Sequence, residues 1–327
     1  MATVRDDFVN GQLHQRRERL EQAIATFGET PDLLHLLEEV DSALDRLGQG
    51  DYGLCETCHE PIERERLLAD PLIRFCLDHL TSVQQRALEK DLDLAAQIQQ
   101  ALLPKQNLAF NGWQTYQHYE PAGLVSGDYC DLVSADGGRD LFFFLGDVAG
   151  KGIAASMLMA HLHATFRSLL AAGLPVNQLA ERANRVFCES TLAGHYATLV
   201  CGRAGADGDM ELCNAGHCPP LLVREGTVTG VESTGLPIGL FCEGSYPVTK
   251  LHLVKGDCLF LYTDGLIEAR NHSDNEYGYD RVSGLLGNQR GATPQELADA
   301  CLKDLQSFLA GSQKADDLTI MVIQRIM

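Results

Sequence analysis

Aspartate residues at four places in the second part of the sequence have the type and spacing to bind a cation. Three of them stand at the edge of an apolar stretch typical of a strand, next to glycine or another acid. Carboxylates placed in this way would gather at one rim of a sheet, where their repulsion is tolerable only if a cation neutralises them. Hard oxygen ligands favour magnesium or manganese. The four segments are residues 126–131, 146–152, 262–268 and 315–319, with Asp128, Asp147, Asp264 and Asp316 as the candidate residues.

Cysteine and histidine residues nearer the N-terminus have the spacing of a structural zinc site. Cys55 and Cys58 are followed, after seventeen residues, by Cys76 and His79. Each pair places two ligands three residues apart, so a tight turn can direct both at one tetrahedral centre. A closed site of this kind folds a segment too short to bury a core. His59 is a rival for the fourth ligand, although its place directly after Cys58 suits it less. The other cysteines are scattered, and we expect them to be small buried side chains.

The glycine-rich segment 146–152 could also be taken for a nucleotide-binding loop. Such a loop needs four residues between its first glycine and a Gly-Lys pair, which is then followed by Ser or Thr. Here three residues separate Gly146 from Gly150-Lys151, and Gly152 follows the lysine. The magnesium-binding hydroxyl is therefore missing, and we reject an NTPase.

The elements that position these residues differ between the two parts of the chain. Residues 11–27 and 32–47 have helical apolar spacing and predict an antiparallel hairpin, and residues 80–103 predict one further helix closed by Pro104. From residue 113 onward, runs of strands alternate with helices, which favours an α+β fold over a parallel sheet. The predicted strands are 113–120, 129–134, 140–146, 196–204, 209–213, 220–224, 227–231, 248–254, 257–262 and 318–323, and the predicted helices 153–170, 176–191 and 293–309.

The helix at 80–103 has apolar residues at alternating spacings of four and three, which is the pattern of a coiled-coil seam. The seam comprises Leu88, Leu92, Ala95, Gln99 and Leu102. A stalk that forms a homodimer and transmits a signal is one interpretation. A helix packed on its own domain is the other.

Composition and charge exclude several classes of protein. A chain of 327 residues has room for about two domains. Its net charge of -19 argues against nucleic-acid binding, which normally needs a basic surface. No apolar run is long enough to cross a membrane and no secretory signal opens the sequence, so we expect a cytoplasmic protein.

Residues 50–62 read Gly-Asp-Tyr-Gly-Leu-Cys-Glu-Thr-Cys-His-Glu-Pro-Ile, and around them the chain resembles the DksA/TraR zinc-finger family over about residues 32–80. Members of that family insert a coiled-coil hairpin with an acidic tip into the secondary channel of RNA polymerase. Here the tip is residues 28–32 on short helices, and His79 stands where the family usually has cysteine. A reused structural module is therefore the expectation, and a transcription regulator that binds RNA polymerase is the alternative.

The acidic segments resemble the SpoIIE/RsbU branch of the metal-dependent protein phosphatases, the PPM family, over about residues 92–327. Ser126 departs from the family, which commonly has a second glycine there. Further family features recur at 98–104 (Ile-Gln-Gln-Ala-Leu-Leu-Pro), 146–152, 214–220 (Asn-Ala-Gly-His-Cys-Pro-Pro), 235–240 (Gly-Leu-Pro-Ile-Gly-Leu), 263–265 (Thr-Asp-Gly) and 316–319 (Asp-Asp-Leu-Thr).

This resemblance implies a fold and a reaction. The fold is an α-β-β-α sandwich, two antiparallel sheets flanked by helix pairs. The reaction is hydrolysis of phosphoserine or phosphothreonine in a protein, with two Mn²⁺ or Mg²⁺ ions activating a water and stabilising phosphoryl charge. Asp147 would bridge the ions, assisted by the backbone carbonyl of Val148. Asp264 and Asp316 would hold one ion, and Asp128 the other, directly or through water.

Asp316 is preferred to Asp317 because it matches the ligand position of the wider family. Asp131 and His217 are interpreted as structural. The sequence thus predicts a helical hairpin with a zinc finger at 1–80, a linker helix at 81–104 and a phosphatase domain at 105–327. The resemblance implies a phosphorylated protein as the substrate, with an anti-sigma-factor antagonist of a bacterial partner-switching pathway as the candidate.

Overall fold

The computed structural model describes residues 6–79, 82–135, 139–192, 194–312 and 316–327. The chain divides into two compact units, Met1–Asp91 and Leu92–Met327. In the described part of the chain, no helix is both long and apolar enough to cross a membrane.

The first unit contains the predicted helical hairpin. Helix α1 covers Asp6–Phe27 and α2 covers Pro31–Gln49. The start of α2 is specified locally, since the Thr30 hydroxyl accepts a hydrogen bond from the Leu33 amide and proline follows the cap. Gly50, with φ of 84°, ends it in the left-handed conformation that glycine adopts readily. Leu13, Val40 and Ala43 are buried between the helices.

The segment between the hairpin and the next long helix contains little regular secondary structure. Helix α3 covers Arg64–Ala69, a single 3-10 turn covers Leu77–His79, and helix α4 covers Ser82–Leu102. The predicted start of α4 at Leu80 lies outside the described residues. Its predicted end, next to Pro104, is confirmed to within one residue.

The second unit is built on two antiparallel sheets. The six-stranded sheet has the order β1-β2-β11-β10-β7-β8, and the five-stranded sheet has the order β3-β4-β5-β6-β9. The strands are β1 (Asn107–Phe110), β2 (Trp113–Glu120), β3 (Asp128–Ala135), β4 (Asp140–Val148), β5 (Ala197–Ala204), β6 (Asp209–Ala215), β7 (Leu221–Arg224), β8 (Thr227–Gly230), β9 (Thr249–His252), β10 (Cys258–Tyr262) and β11 (Leu318–Arg325).

Helices cover the outer face of each sheet. Helices α5 (Gly152–Leu170) and α6 (Val176–Ser190) pack on the five-stranded sheet around an apolar cluster that includes Phe144. The six-stranded sheet packs instead against α8 (Tyr279–Gly287) and α9 (Pro294–Leu309). Helix α9 opens with the predicted capping box, in which the Thr293 hydroxyl and the Glu296 carboxylate satisfy each other's backbone amides.

A third apolar cluster fills the space between the two sheets. It combines Phe143 of the five-stranded sheet with Leu261 and Met321 of the six-stranded sheet, and all three side chains are fully buried. The layers therefore follow the order helices, sheet, sheet, helices, and the predicted α+β sandwich is confirmed. In this second unit the sequence analysis missed the short elements β1, α7 (Asp264–Ile267) and α8, and in the first unit it missed α3.

Candidate metal centres

Two of the candidate aspartates face each other on neighbouring strands. Asp128 opens β3 and Asp147 comes next to last in β4, and the two are direct partners in the antiparallel register. Side chains alternate between the faces of a strand. In β4, Phe143 and Leu145 point into the space between the sheets, so Asp147 lies on that same face. Both carboxylates therefore lie at the rim of the inter-sheet core.

Asp128 is held by the opposite sheet. Its Oδ2 accepts hydrogen bonds from the hydroxyls of Thr263, at 3.0 Å, and Thr319, at 2.5 Å. The Thr319 amide in turn donates to the Thr263 hydroxyl at 2.9 Å. Only 1% of Asp128 is exposed. Burial, together with the charges of Asp147 and Asp317, raises its pKa well above the usual range, even though the two hydroxyl bonds oppose the shift.

Asp264 begins the short helix α7 directly after β10. The glycine after it is required by a close approach, because a Cβ atom on Gly265 would lie 1.9 Å from the backbone oxygen of Asp317. This approach brings the start of α7 against the segment that contains Asp316. Burial and the charges of Asp264, Asp316 and Asp317 together raise the pKa of Asp147 to about 7, while Lys151 opposes the shift.

The neighbours Asp316 and Asp317 have different partners. Asp317 accepts from the backbone amide of Ala122 at 2.7 Å through Oδ1, and from that of Gly127 at 2.9 Å through Oδ2. It thereby holds the loop that leads into Asp128. Asp316 contacts the Lys151 ammonium at 2.9 Å through Oδ2 and accepts from the Asp317 amide at 3.0 Å through Oδ1.

The cluster of Asp128, Asp147, Asp264 and Asp316 is suited to divalent cations on physical grounds. Burial and mutual repulsion raise the pKa values of Asp128, Asp147 and Asp264, so their ionised forms lack sufficient neutralisation from the protein. An added cation would supply it, and carboxylate oxygens are the ligands that Mg²⁺ and Mn²⁺ prefer. The carbonyl of Val148 lies beside this cluster, since a Cβ on Gly127 would lie 3.1 Å from it.

Asp131 and His217 are engaged elsewhere. Arg167 of α5 binds both oxygens of Asp131, each at 2.7 Å. His217 bonds through Nδ1 to the Thr198 hydroxyl at 2.8 Å, and its amide donates to Asn214. Burial lowers the pKa of His217 to about 4, which keeps it neutral at ordinary pH. The contacts of Asp131 agree with its structural interpretation, whereas Nε2 of His217 is buried with no hydrogen-bond partner among the described residues.

The sulfur and nitrogen atoms of the first unit form a second centre. One ligand atom from each of Cys55, Cys58, Cys76 and His79 lies within 4.8 Å of the others, and His59 is not part of this described group. The sulfurs of Cys58 and Cys76 are 3.8 Å apart. A tetrahedral site with Zn–S bonds of about 2.3 Å has an S···S edge of about 3.8 Å.

The surroundings of Cys55 favour a thiolate. Burial raises its pKa, but hydrogen bonds from the backbone amides of Cys76, Cys58 and Thr57 outweigh burial and lower it to about 6. Since the thiolate is the form that binds metal, this turn is prepared for zinc.

One residue of the predicted seam, Gln99, makes a contact that orders the acidic cluster, and the sequence pattern did not predict this contact. Gln99 of α4, expected in a coiled-coil seam, is 6% exposed and bonds to the backbone of Ser126. Its Nε2 donates to the Ser126 carbonyl at 2.7 Å, and its Oε1 accepts from the Ser126 amide at 2.9 Å. The Ser126 hydroxyl then accepts from the Asp128 amide at 3.0 Å. Leu102 likewise packs on the core beneath α5 and α6.

Sequence reasoning also missed the parts played by Thr263, Thr319 and Lys151. All three lie inside the motifs that were singled out for their aspartates. Thr263 directly precedes Asp264 and Thr319 follows Asp317 by two residues, and this closeness was the available signal, because a buried carboxylate needs donors. The sequence could not show which carboxylate the two threonine hydroxyls bind, because Asp128 is distant from both threonines along the chain.

Comparisons with known proteins agree with this architecture. Residues 137–326 match the family model described as Stage II sporulation protein E (SpoIIE). Residues 50–78 match that of the prokaryotic dksA/traR C4-type zinc finger, which stops one residue before His79.

Two curated relatives cover most of the chain. Protein IcfG of Synechocystis sp. is 26% identical over 264 residues, which span 72% of this chain and 41% of that protein. The phosphoserine phosphatase RsbU of Bacillus subtilis is 27% identical over 248 residues, spanning 74% of this chain and 72% of RsbU. Among solved structures, the SiaA-PP2C domain of Pseudomonas aeruginosa has a TM-score of 0.65 at 18% identity, and the match covers 75% of this chain and 98% of that domain. The last comparison shows a shared fold.

Proposed function

Because the chain belongs to the stage II sporulation protein E (SpoIIE) family, we propose that it is a metal-dependent protein serine/threonine phosphatase. The observation that carries the proposal is the convergence of Asp128, Asp147, Asp264 and Asp316 at one rim of the two sheets. This rim has neighbouring carboxylates, raised pKa values and hydroxyl donors on its most buried member.

The proposed cofactors are two Mn²⁺ or Mg²⁺ ions. Asp147 and the carbonyl of Val148 would hold both ions, Asp264 and Asp316 one, and Asp128 the other, directly or through water. When bound, such ions acidify a water and neutralise charge on phosphoryl oxygens. No covalent phospho-enzyme is required.

The protein's own contribution is to fix the carboxylates before a substrate arrives. Thr263 and Thr319 orient Asp128. Asp317 fixes the loop before Asp128, and Gly265 lets α7 approach Asp317 closely enough to place Asp264 beside it. The proposed cations would therefore meet a preorganised set of oxygens, which reduces the reorganisation that catalysis would otherwise require.

The decisive experiment is hydrolysis of p-nitrophenyl phosphate and of a phosphoserine protein with and without Mn²⁺ or Mg²⁺. Activity should require the added metal, and Asp147→Asn should reduce it by at least about a thousandfold, since the proposed bridging ligand is lost. Circular dichroism should show that the variant is folded. Full activity in excess EDTA would refute the mechanism.

For the first unit we propose one structural Zn²⁺ held by Cys55, Cys58, Cys76 and His79. All four ligand positions would be filled by protein, so this ion would stabilise the fold and take no part in the reaction.

We infer that the substrate is a phosphorylated protein, and that an anti-sigma-factor antagonist of a partner-switching pathway is the first candidate. The support is family membership and the likeness to RsbU, a phosphoserine phosphatase. A pull-down with the Asp147→Asn variant as a substrate trap tests it, because a bound phosphoprotein would be retained. Capture of RNA polymerase with no phosphoprotein would instead favour the transcription regulator.

Regulation would pass through α4. Leu94 and Ile98, which are more than half exposed, leave an apolar strip on this helix for a second copy of the chain. We propose a homodimer through this strip, and light scattering of the full chain that finds only monomers would contradict it.

A further inference from the structure

Lys151 occupies a position from which an ammonium group can reach the acidic cluster. It follows Asp147 by four residues and caps helix α5 with an extended backbone. Gly150 and Gly152 on either side have φ values of 113° and 71°, which only glycine adopts readily. The chain therefore turns sharply on both sides of Lys151.

The Lys151 side chain combines exposure with a specific ion pair. Its Nζ lies 2.9 Å from Oδ2 of Asp316, and 64% of the side chain is exposed. Its charge also opposes the upward pKa shifts of Asp147 and Asp264, so its field reaches the wider cluster. A surface ion pair of this kind adds little stability. Stability therefore does not account for a lysine held between two glycines beside four aspartates.

We propose that Lys151 is a substrate-binding residue whose ammonium contacts the phosphoryl group of the phosphoserine or phosphothreonine substrate. The proposal rests on the proposed function. Oδ2 of Asp316 cannot serve a divalent cation and the ammonium equally well, so cation binding would displace Lys151 from this oxygen. The displaced ammonium remains tethered beside the cluster, where a phosphate dianion would be the strongest acceptor.

The chemistry of lysine suits this task. Its ammonium is a compact charge with three donors on a flexible stem, so it can follow a phosphoryl group whose oxygens change position. Since 64% of the side chain is exposed, the path of the ammonium from Asp316 to a substrate lies largely in solvent. Two roles follow, a counter-ion in the absence of metal and a phosphate ligand in its presence.

The two roles predict opposite effects of Lys151→Gln on two binding equilibria. Without phosphate, Mn²⁺ should bind the variant a few-fold more tightly in calorimetry, because an internal competitor for Asp316 is gone. Inorganic phosphate should bind the Mn²⁺-loaded variant about tenfold more weakly, the low end for a hydrogen bond to a charged group. KM for p-nitrophenyl phosphate should rise by a similar factor while kcat changes less.

Two further variants make the experiment specific. Lys151→Arg keeps the positive charge and should restore phosphate binding to within about threefold of wild type. Lys250→Gln is the matched control, because Lys250 is also exposed and paired with an acid, Glu211 at 3.2 Å, but lies on β9. It should leave both equilibria unchanged.

Wild-type phosphate affinity and KM in Lys151→Gln would overturn the proposal, whatever happens to Mn²⁺ affinity. Weaker Mn²⁺ binding in the same variant would also overturn it, since Lys151 would then support the metal site. The phosphate-binding measurement does not depend on turnover. A wild type that binds Mn²⁺ and phosphate but hydrolyses nothing would therefore refute the proposed function and still decide the role of Lys151.

Discussion

Asp316 and Asp317 are adjacent in sequence, yet their side chains have separate tasks. Both oxygens of Asp317 are taken up by backbone amides, which leaves Asp316 as the better candidate for a cation. From the sequence alone, Asp316 could be preferred to Asp317 as a metal ligand only because its position matches that of the family. Ala122 and Gly127, which distinguish them, are 195 and 190 residues away along the chain.

Asparagine substitutions should separate the two roles. Asp316→Asn should weaken Mn²⁺ binding by about tenfold or more, without lowering the urea midpoint in EDTA, because its side-chain partner among the described residues, Lys151, is exposed. Asp317→Asn should cost about 1–3 kcal/mol of stability, since an amide NH₂ would face a backbone donor where a carboxylate oxygen now accepts. Equal loss of stability in both variants would contradict this division.

At the scale of elements, apolar patterning was a sound guide to the strands that fill the core. Strand β2 was predicted with both ends correct, since its pattern and turn residues mark them. The missed elements β1, α7 and α8 have four, four and nine residues. Length alone does not explain the misses, since β7, β8 and β9 also have four residues each and were predicted. The missed segments lack a clear periodic pattern, and tertiary contacts determine them.

Helix α4 shows where patterning fails for a physical reason. Apolar residues at alternating spacings of four and three indicate that one face of the helix is buried. They do not indicate whether that face packs against a second copy of the chain or against another part of the same chain. Gln99 lies in the predicted seam, and it bonds to the loop that carries Asp128 in the same chain. This contact connects α4 through Ser126 to the loop that carries Asp128.

We expect Gln99→Ala to lower kcat/KM by about tenfold or more, because a misplaced catalytic group is costly even when all groups are present. The buried amide and carbonyl of Ser126 would lose their partner, so stability should also fall by about 1–3 kcal/mol. Gln97→Ala, on the exposed side of the same helix, is the control. Steady-state kinetics and urea unfolding measure both effects. Unchanged kinetics in Gln99→Ala would show that α4 does not act through this contact.

At the scale of the whole molecule, two compact units carry two candidate metal centres of different chemistry. Elemental analysis of the purified protein should find about one zinc per chain, and Cys55→Ser/Cys58→Ser should remove it, because two of four ligands are lost. Metal-dependent hydrolysis of p-nitrophenyl phosphate should persist in that variant, since the acidic cluster belongs to the other unit. Stoichiometric zinc in the double variant would refute the ligand assignment.

The coexistence of a sulfur-rich centre and an oxygen-rich centre also exposes the protein to mismetallation. Zinc binds most ligand sets, carboxylates included, more tightly than manganese does. The coordination geometry of the site and the availability of each metal therefore have to keep zinc out of a manganese site. With both proposed sites, the protein would have to acquire one zinc ion while keeping zinc out of the cluster around Asp147. At low concentration, cellular zinc would support folding by filling the sulfur-rich site. At high concentration it would inhibit catalysis by filling the acidic cluster. A zinc titration of the manganese-loaded protein should accordingly show inhibition once the first equivalent is exceeded.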